Sequence, residues 1–218
     1  MRNEIAADFL PYNVEEFKRL FSEFGEECEL GWLISDSAVK KRVILMVSKE
    51  EHCLADLLYR WRTQDFSFDI VAVISNHKNL SQYVSWHDIP YYCIPITNDN
   101  KVDAFNEIND LIEKYDADTV VLARYMQILP ANVTKKYSGR VINIHRSFLP
   151  SFVGAKPYHQ AFKRGVKLIG ATCHYVTEDL DEGLIIEQDV EKLVLSRGLR
   201  NHLEGRVLIH GSKTAVFN

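Results

Sequence analysis

Neither a GxGxxG nor a GxxxxGK[ST] motif occurs among the 218 residues, and only 10 of those residues are glycine. The loop after the first apolar strand, SKEEHC (residues 48–53), has no glycine and carries two glutamates. Cradling a phosphate there would require backbone N–H groups to approach its oxygens, which glycines allow. Dinucleotide and nucleoside-triphosphate chemistry are therefore disfavoured. Excess positive charge is also missing. The net charge is −4, the pI is about 6.1, and lysine and arginine are spread along the chain, so no nucleic-acid partner is indicated. The longest apolar runs, VILMV and IVAVI, are too short to span a membrane. The N-terminal MRNEIAADFL lacks the apolar stretch of a signal peptide. The four cysteines (Cys28, Cys53, Cys93, Cys173) form no CxxC pair. They read as reduced thiols, and the expected setting is the cytoplasm.

What is present is an alternation of strands and helices. The composition is 46% hydrophobic, enough for one sizeable core. KRVILMV (41–47), DIVAVIS (69–75), PYYCIPI (90–96), ADTVVLA (117–123) and VINIH (141–145) read as buried strands. Between them, helical spacing is expected over 52–62, 80–87, 102–115 and 131–137. The pattern predicts an α/β fold with a Rossmann-like, mostly parallel sheet covered by helices on both faces. Residues 1–36 differ. IAADF and LGWLIS are strand-like, and Val14 to Cys28 is an amphipathic helix. Such a strand–helix–strand segment cannot bury both its faces, so it is expected to need a partner surface. SDSAVKK then reads as a linker to a domain over 37–218.

The run VINIHRSFLP concentrates the chemistry. Side chains alternate across a strand, so Asn143 and His145 share one face while Ile142 and Ile144 take the other. Both lie at the carboxyl end of their strand, where open α/β sheets bind ligands. A second run, GATCHYVTEDLDEG (170–183), reads as a strand followed by an acidic loop. Glu178, Asp179 and Glu182 individually fit a solvated face. Asp181, just before Gly183 and an apolar LII, is placed to turn back toward His145, hold an imidazolium and orient a water. No local spacing rule joins residues 36 positions apart (Asp181 against His145). The rival is a metal site from His145, His174 and Asp181. The lack of HExxH, or of any close ligand pair on one helix, weighs against it. His174 is read with at least even weight as a core histidine with its hydrogen bonds satisfied.

Taken together, NIHRSFLP, Gly154, HYVTEDLDEG, KRVILMVSKEEHCLADLLYRW, VISNH and LARYMQILP resemble the folate-dependent formyltransferase fold, and within it the formyltetrahydrofolate deformylase family. The resemblance covers about residues 41–190 and resumes through VLSRGLRNHLEGRVLIHGSKTAVF. It implies a formyltransferase-fold domain that hydrolyses 10-formyltetrahydrofolate to formate and tetrahydrofolate, supplying formate for purine synthesis and balancing one-carbon folate pools. It implies Asn143, His145 and Asp181 as the catalytic trio. Met126, Gln127, Ile128 and Leu129, with Val176, Thr177, Glu178 and Asp179, would wall and contact the pterin pocket. No cofactor or metal is implied, since the folate is the substrate. The implied partners are that folate and further copies of the chain, with no nucleic acid or membrane. The family's N-terminal region resembles an ACT module, a ferredoxin-like βαββαβ unit associated with amino-acid sensing. Residues 1–36 match only its second half, so an amino-acid effector is expected only where that module is complete. At DVEKLVLSRG (189–198) the family has a further strand end, loop and most of a helix that are absent here. Two alternatives stay open: a formyltransferase with a non-phosphorylated acceptor, and a folate-binding remnant without turnover.

Overall fold

A computed structural model describes residues 3–151, 157–166, 170–189 and 191–217. Gly154 and Val190 lie outside the described residues. Seven strands form the main sheet: β1 (Lys41–Val47), β2 (Phe68–Ser75), β3 (Tyr91–Cys93), β4 (Thr119–Leu122), β5 (Val141–His145), β6 (Ala171–Tyr175) and β7 (Ile185–Asp189). Their spatial order is β3-β2-β1-β4-β5-β6-β7. The first five pair in parallel, and β6 and β7 then run antiparallel. The sheet is thus mostly parallel, as the alternating pattern predicts. The strand order reverses between β1 and β4, which makes the carboxyl ends of those strands the switch point of the sheet.

Apolar residues cover both faces, which explains the continuous apolar runs in β1, β2 and β4. On one side, Leu45, Val73 and Ile144 meet Leu54, Leu57 and Leu58 of helix α2 (His52–Arg62). The α7 helix (Glu191–Leu203) adds Val194, Leu195 and Leu199 to that cluster. On the other side, Ile44, Met46 and Val120 meet Phe105, Ile108 and Ile112 of α4 (Lys101–Lys114). Val133 of α5 (Ala131–Lys136) and neighbouring Tyr137 complete that cluster. The short helices α3 (Ser81–Ser85) and α6 (Pro157–Lys163) cross between strands. A hairpin of β8 (Val207–His210) and β9 (Lys213–Val216) follows α7.

Two expectations are corrected. PYYCIPI forms a strand over only three residues, Tyr91–Cys93. Pro90 and Pro95 bracket it and can donate no ladder hydrogen bond. The strand–helix–strand reading of residues 1–36 also fails. The helix is there as α1 (Val14–Glu27), started by Asn13, whose side chain accepts from the Glu16 N–H at 2.8 Å. IAADF instead contains a short 3-10 turn, Ala7–Phe9, and LGWLIS forms no strand. Strand-like composition forms a strand only where a partner edge is available, and neither piece pairs with one. Instead, Phe21 packs edge-on against Trp32 at 5.4 Å between ring centroids. QDV does run almost directly into the last helix: a single residue separates β7 from α7.

Candidate active site

Strand β5 presents Asn143 and His145 toward one face, and antiparallel β6 sets His174 opposite Asn143 and Thr172 opposite His145. His145 is 8% exposed and His174 2% exposed. The loop leaving β6 returns to the sheet at Leu184, whose carbonyl accepts from the Tyr175 N–H at 3.0 Å. Gly183 makes that return possible: a Cβ there would stand 1.6 Å from the Tyr175 carbonyl oxygen. Asp181 sits two residues earlier at φ +60°, a left-handed turn that aspartate tolerates better than most residues. The turn aims its carboxylate inward, where Oδ2 lies 3.1 Å from His145 Nδ1. The pairing of residues 36 positions apart thus exists in the fold.

His174 is more than a core histidine. Its Nδ1 lies 2.9 Å from the Tyr175 carbonyl oxygen, and its Nε2 lies 3.2 Å from Asn143 Nδ2. A carbonyl only accepts, so Nδ1 carries the proton and Nε2 accepts from the asparagine amide. Burial first, and the His145 ring among the smaller effects, lower the His174 pKa and keep it neutral, against the Tyr175 carbonyl and Asp181. One amide N–H of Asn143 is thereby fixed on His174 and the other is left for a ligand. Asp181 Oδ1 is 3.9 Å from His174 Nε2, so the aspartate stands between the two imidazoles. Sequence reasoning weighed His174 only as a core histidine or a rival metal ligand, because its link to Asn143 is a cross-strand pairing. Only the β5–β6 register reveals it.

The segment after His145 is fastened to the antiparallel strands. Thr172 donates to the Ser147 carbonyl at 2.7 Å and accepts from the Leu149 N–H at 3.0 Å. Gln188 of β7 donates to the Leu149 carbonyl at 2.7 Å. Of the expected pocket walls, Met126 and Ile128 are each 61% exposed and Leu129 is buried. Val176 packs against the core with its N–H given to the Val141 carbonyl at 2.9 Å. Glu178 reaches Lys135 at 3.2 Å, and Thr177 donates to the Asp179 carbonyl at 3.0 Å. Glu182 is exposed, in keeping with a solvated face.

Comparison with known proteins places the fold. Residues 41–214 match the family described as Formyl transferase. The formyltetrahydrofolate deformylase of Bacillus subtilis (strain 168) is 43% identical over 217 residues, covering 91% of this chain and 72% of the relative. The chain belongs to the formyltetrahydrofolate deformylase family. A crystal structure of a formyltetrahydrofolate deformylase from Pseudomonas syringae superposes with a TM-score of 0.95 at 56% identity, covering 97% of this chain and 78% of that one. A phosphoribosylglycinamide formyltransferase from Anaplasma phagocytophilum is more distant, with a TM-score of 0.70 and 26% identity over 83% of this chain and 96% of its own. That likeness extends over nearly the whole chain.

Proposed function

We propose that this chain hydrolyses 10-formyltetrahydrofolate to formate and tetrahydrofolate. The observation that carries the reading is the buried His145–Asp181 pair, 3.1 Å apart, beside Asn143 at the carboxyl end of β5. Membership of the deformylase family supports the same substrate.

Water attacks the formyl carbon and negative charge grows on the formyl oxygen. The N–H of Asn143 that His174 does not hold stabilises that oxygen. His145, held by Asp181 through Nδ1, presents its other nitrogen as a second donor once protonated. One such donor lowers the barrier by roughly 3 to 4 kcal/mol. Asp181 positions the water and takes its proton, directly or through His145. The C–N bond then breaks, and the nitrogen takes a proton from His145 or from a water. Met126, Gln127, Ile128 and Leu129 and the segment Val176 to Asp179 hold the pterin ring. These roles require no metal and no resident cofactor. We assign the chain to the cytoplasm, where its thiols stay reduced, and to an assembly with further copies through the exposed N-terminal segment. Formate released this way would serve purine synthesis.

The test is release of formate and tetrahydrofolate from 10-formyltetrahydrofolate in buffer without an amine acceptor, beside the Asp181→Asn variant. Release by the parent chain and its loss in the variant is the expected result. Turnover that appears only with an added amine would instead make the chain a transferase.

A further inference from the structure

The loop after β1, SKEEHC, takes no part in the chemistry at His145, yet it opens on a buried hydroxyl. Ser48 is 2% exposed, and a buried hydroxyl has to be paired. Its one proton goes to Asn76 Oδ1, 2.7 Å away in the loop after β2. With the proton committed, an oxygen lone pair is left to accept, and the Met126 N–H donates to it at 2.9 Å. Ser48 thus joins three loops at the carboxyl edge of the sheet, those after β1, β2 and β4. Strands β1 and β4 flank the switch point, so the tie crosses the place where such sheets bind ligands.

The tie stands on a firm base. Ser75, fully buried, donates to the Ser48 carbonyl at 3.4 Å and accepts from the His77 N–H at 3.1 Å. The Tyr91 hydroxyl donates to the His77 carbonyl. On the other side, the β1–β4 ladder reaches as far as the Ala123 N–H, which donates to the Met46 carbonyl at 2.9 Å. The chain then bends at Arg124, φ +66°, and forms no helix or strand before Ala131. Tyr125 and Leu129 are buried, while Met126 and Ile128 stand out into solvent. An irregular segment with outward apolar side chains holds one shape only where its backbone is fastened. The Ser48 hydroxyl fastens it at Met126, the first of its exposed residues.

We propose that Ser48, oriented by Asn76, is a positioning residue that sets the 126–129 loop for the pterin ring. This rests on the folate reading. A loop already held in its binding shape loses less conformational freedom when the ligand arrives, so the gain appears in affinity. The missing glycines then have a positive reason. Glycine at position 48 would leave the Met126 N–H without this acceptor, and glycines that open a loop to an anion bring no side chain at all. The first loop of this chain serves a neighbouring loop rather than a ligand. Glu50 and Glu51, exposed just beyond Ser48, are compatible with that task and would repel an anion.

The experiment is calorimetric titration of the full chain with tetrahydrofolate, repeated with Ser48→Ala, Asn76→Ala, the two combined, and Ser48→Thr. Ser48→Ala should weaken binding roughly three- to tenfold, the range of one neutral hydrogen bond. Steady-state kinetics on 10-formyltetrahydrofolate should show the loss in KM more than in kcat, a split that general destabilisation of a still-folded chain does not produce. Ser48→Thr, which keeps the hydroxyl, should retain most of the affinity. Asn76→Ala should weaken binding less, and should add little to Ser48→Ala, because both act through one hydroxyl. Equal affinity of the parent chain and Ser48→Ala overturns the proposal, as does a loss confined to kcat. Should Ser48→Ala not fold, by circular dichroism, Asn76→Ala decides in the same way: unchanged affinity overturns the positioning role. Failure of the parent chain to bind tetrahydrofolate would overturn the folate reading and this role with it. Binding without hydrolysis would count against the hydrolase alone, and hydrolysis with an affinity indifferent to Ser48 against the positioning role alone.

Discussion

Replacing His202 with glutamine should flatten the acid side of the stability profile. His202 lies on α7 with both ring nitrogens engaged inside the protein, Nδ1 at 2.9 Å from the Tyr175 hydroxyl and Nε2 at 3.0 Å from Thr119 Oγ1. Burial, followed by the charge of Lys41, pulls its pKa from 6.5 down to about 4, against a smaller opposing effect of Asp118. In the unfolded chain the ring titrates near its ordinary value. Between those two values the unfolded chain binds a proton that the folded chain refuses, so stability rises with pH through that window. The contribution is fully present above pH 6.5, falls away on acidification, and is gone below about pH 4. At about 1.36 kcal/mol per pH unit, the gap sets a ceiling of roughly 3 kcal/mol. The ring is partly exposed, which reduces this to about 2 to 3 kcal/mol. Urea unfolding of the parent chain and His202→Gln at several pH values between 8 and 4.5 measures it. His174 titrates in the same direction, but it is present in both proteins and cancels in the difference. Equal loss of stability in both chains on acidification would refute the reasoning.

Four further outcomes are expected. Asn143→Ala should lower kcat roughly 100- to 1000-fold, as loss of one oxyanion donor does, while Glu182→Ala leaves turnover about unchanged; steady-state kinetics on 10-formyltetrahydrofolate reads both. Gly183→Ala should cost more than the roughly 1 to 3 kcal/mol of ordinary overpacking, because its Cβ would meet the Tyr175 carbonyl oxygen at 1.6 Å; the urea midpoint checks it. Gly198→Ala should destabilise even though alanine favours a helix interior. Its Cβ would come within 2.4 Å of Cys173 Sγ, and a higher melting temperature would contradict that packing. Exposed Cys28 should react with iodoacetamide in the native chain, whereas Cys173, fully buried with its thiol pKa pushed up by burial, should react only on unfolding. Mass spectrometry of timed samples distinguishes the two.

The sheet was legible where burial on both faces made composition continuous. KRVILMV and DIVAVIS are strands because Val43, Leu45 and Val73 pack to one side and Ile44, Met46 and Ile74 to the other. Legibility failed where a strand depends on a neighbour. LGWLIS has the composition of a strand, but Trp32 packs against Phe21 and no edge pairs with the segment. The hairpin β8–β9 was not anticipated either, since its residues face mostly outward and show no buried run. At the site, alternation placed Asn143 with His145 from sequence alone. The approach of Asp181 rests on a chain reversal at Gly183, and the engagement of His174 on an antiparallel register. Neither leaves a periodic trace along the chain.

The change of direction at β6 also orders events in time. Residues through His145 supply every strand of the parallel part of the sheet, the non-local β1–β4 pairing included. The acid partner of His145 leaves the ribosome 36 residues later, a delay of roughly 2 to 7 seconds at ordinary rates of synthesis. Until β6 inserts beside β5, Asn143 and His145 stand on an open sheet edge. The nascent protein therefore carries half of its chemistry for seconds before it has a closed site.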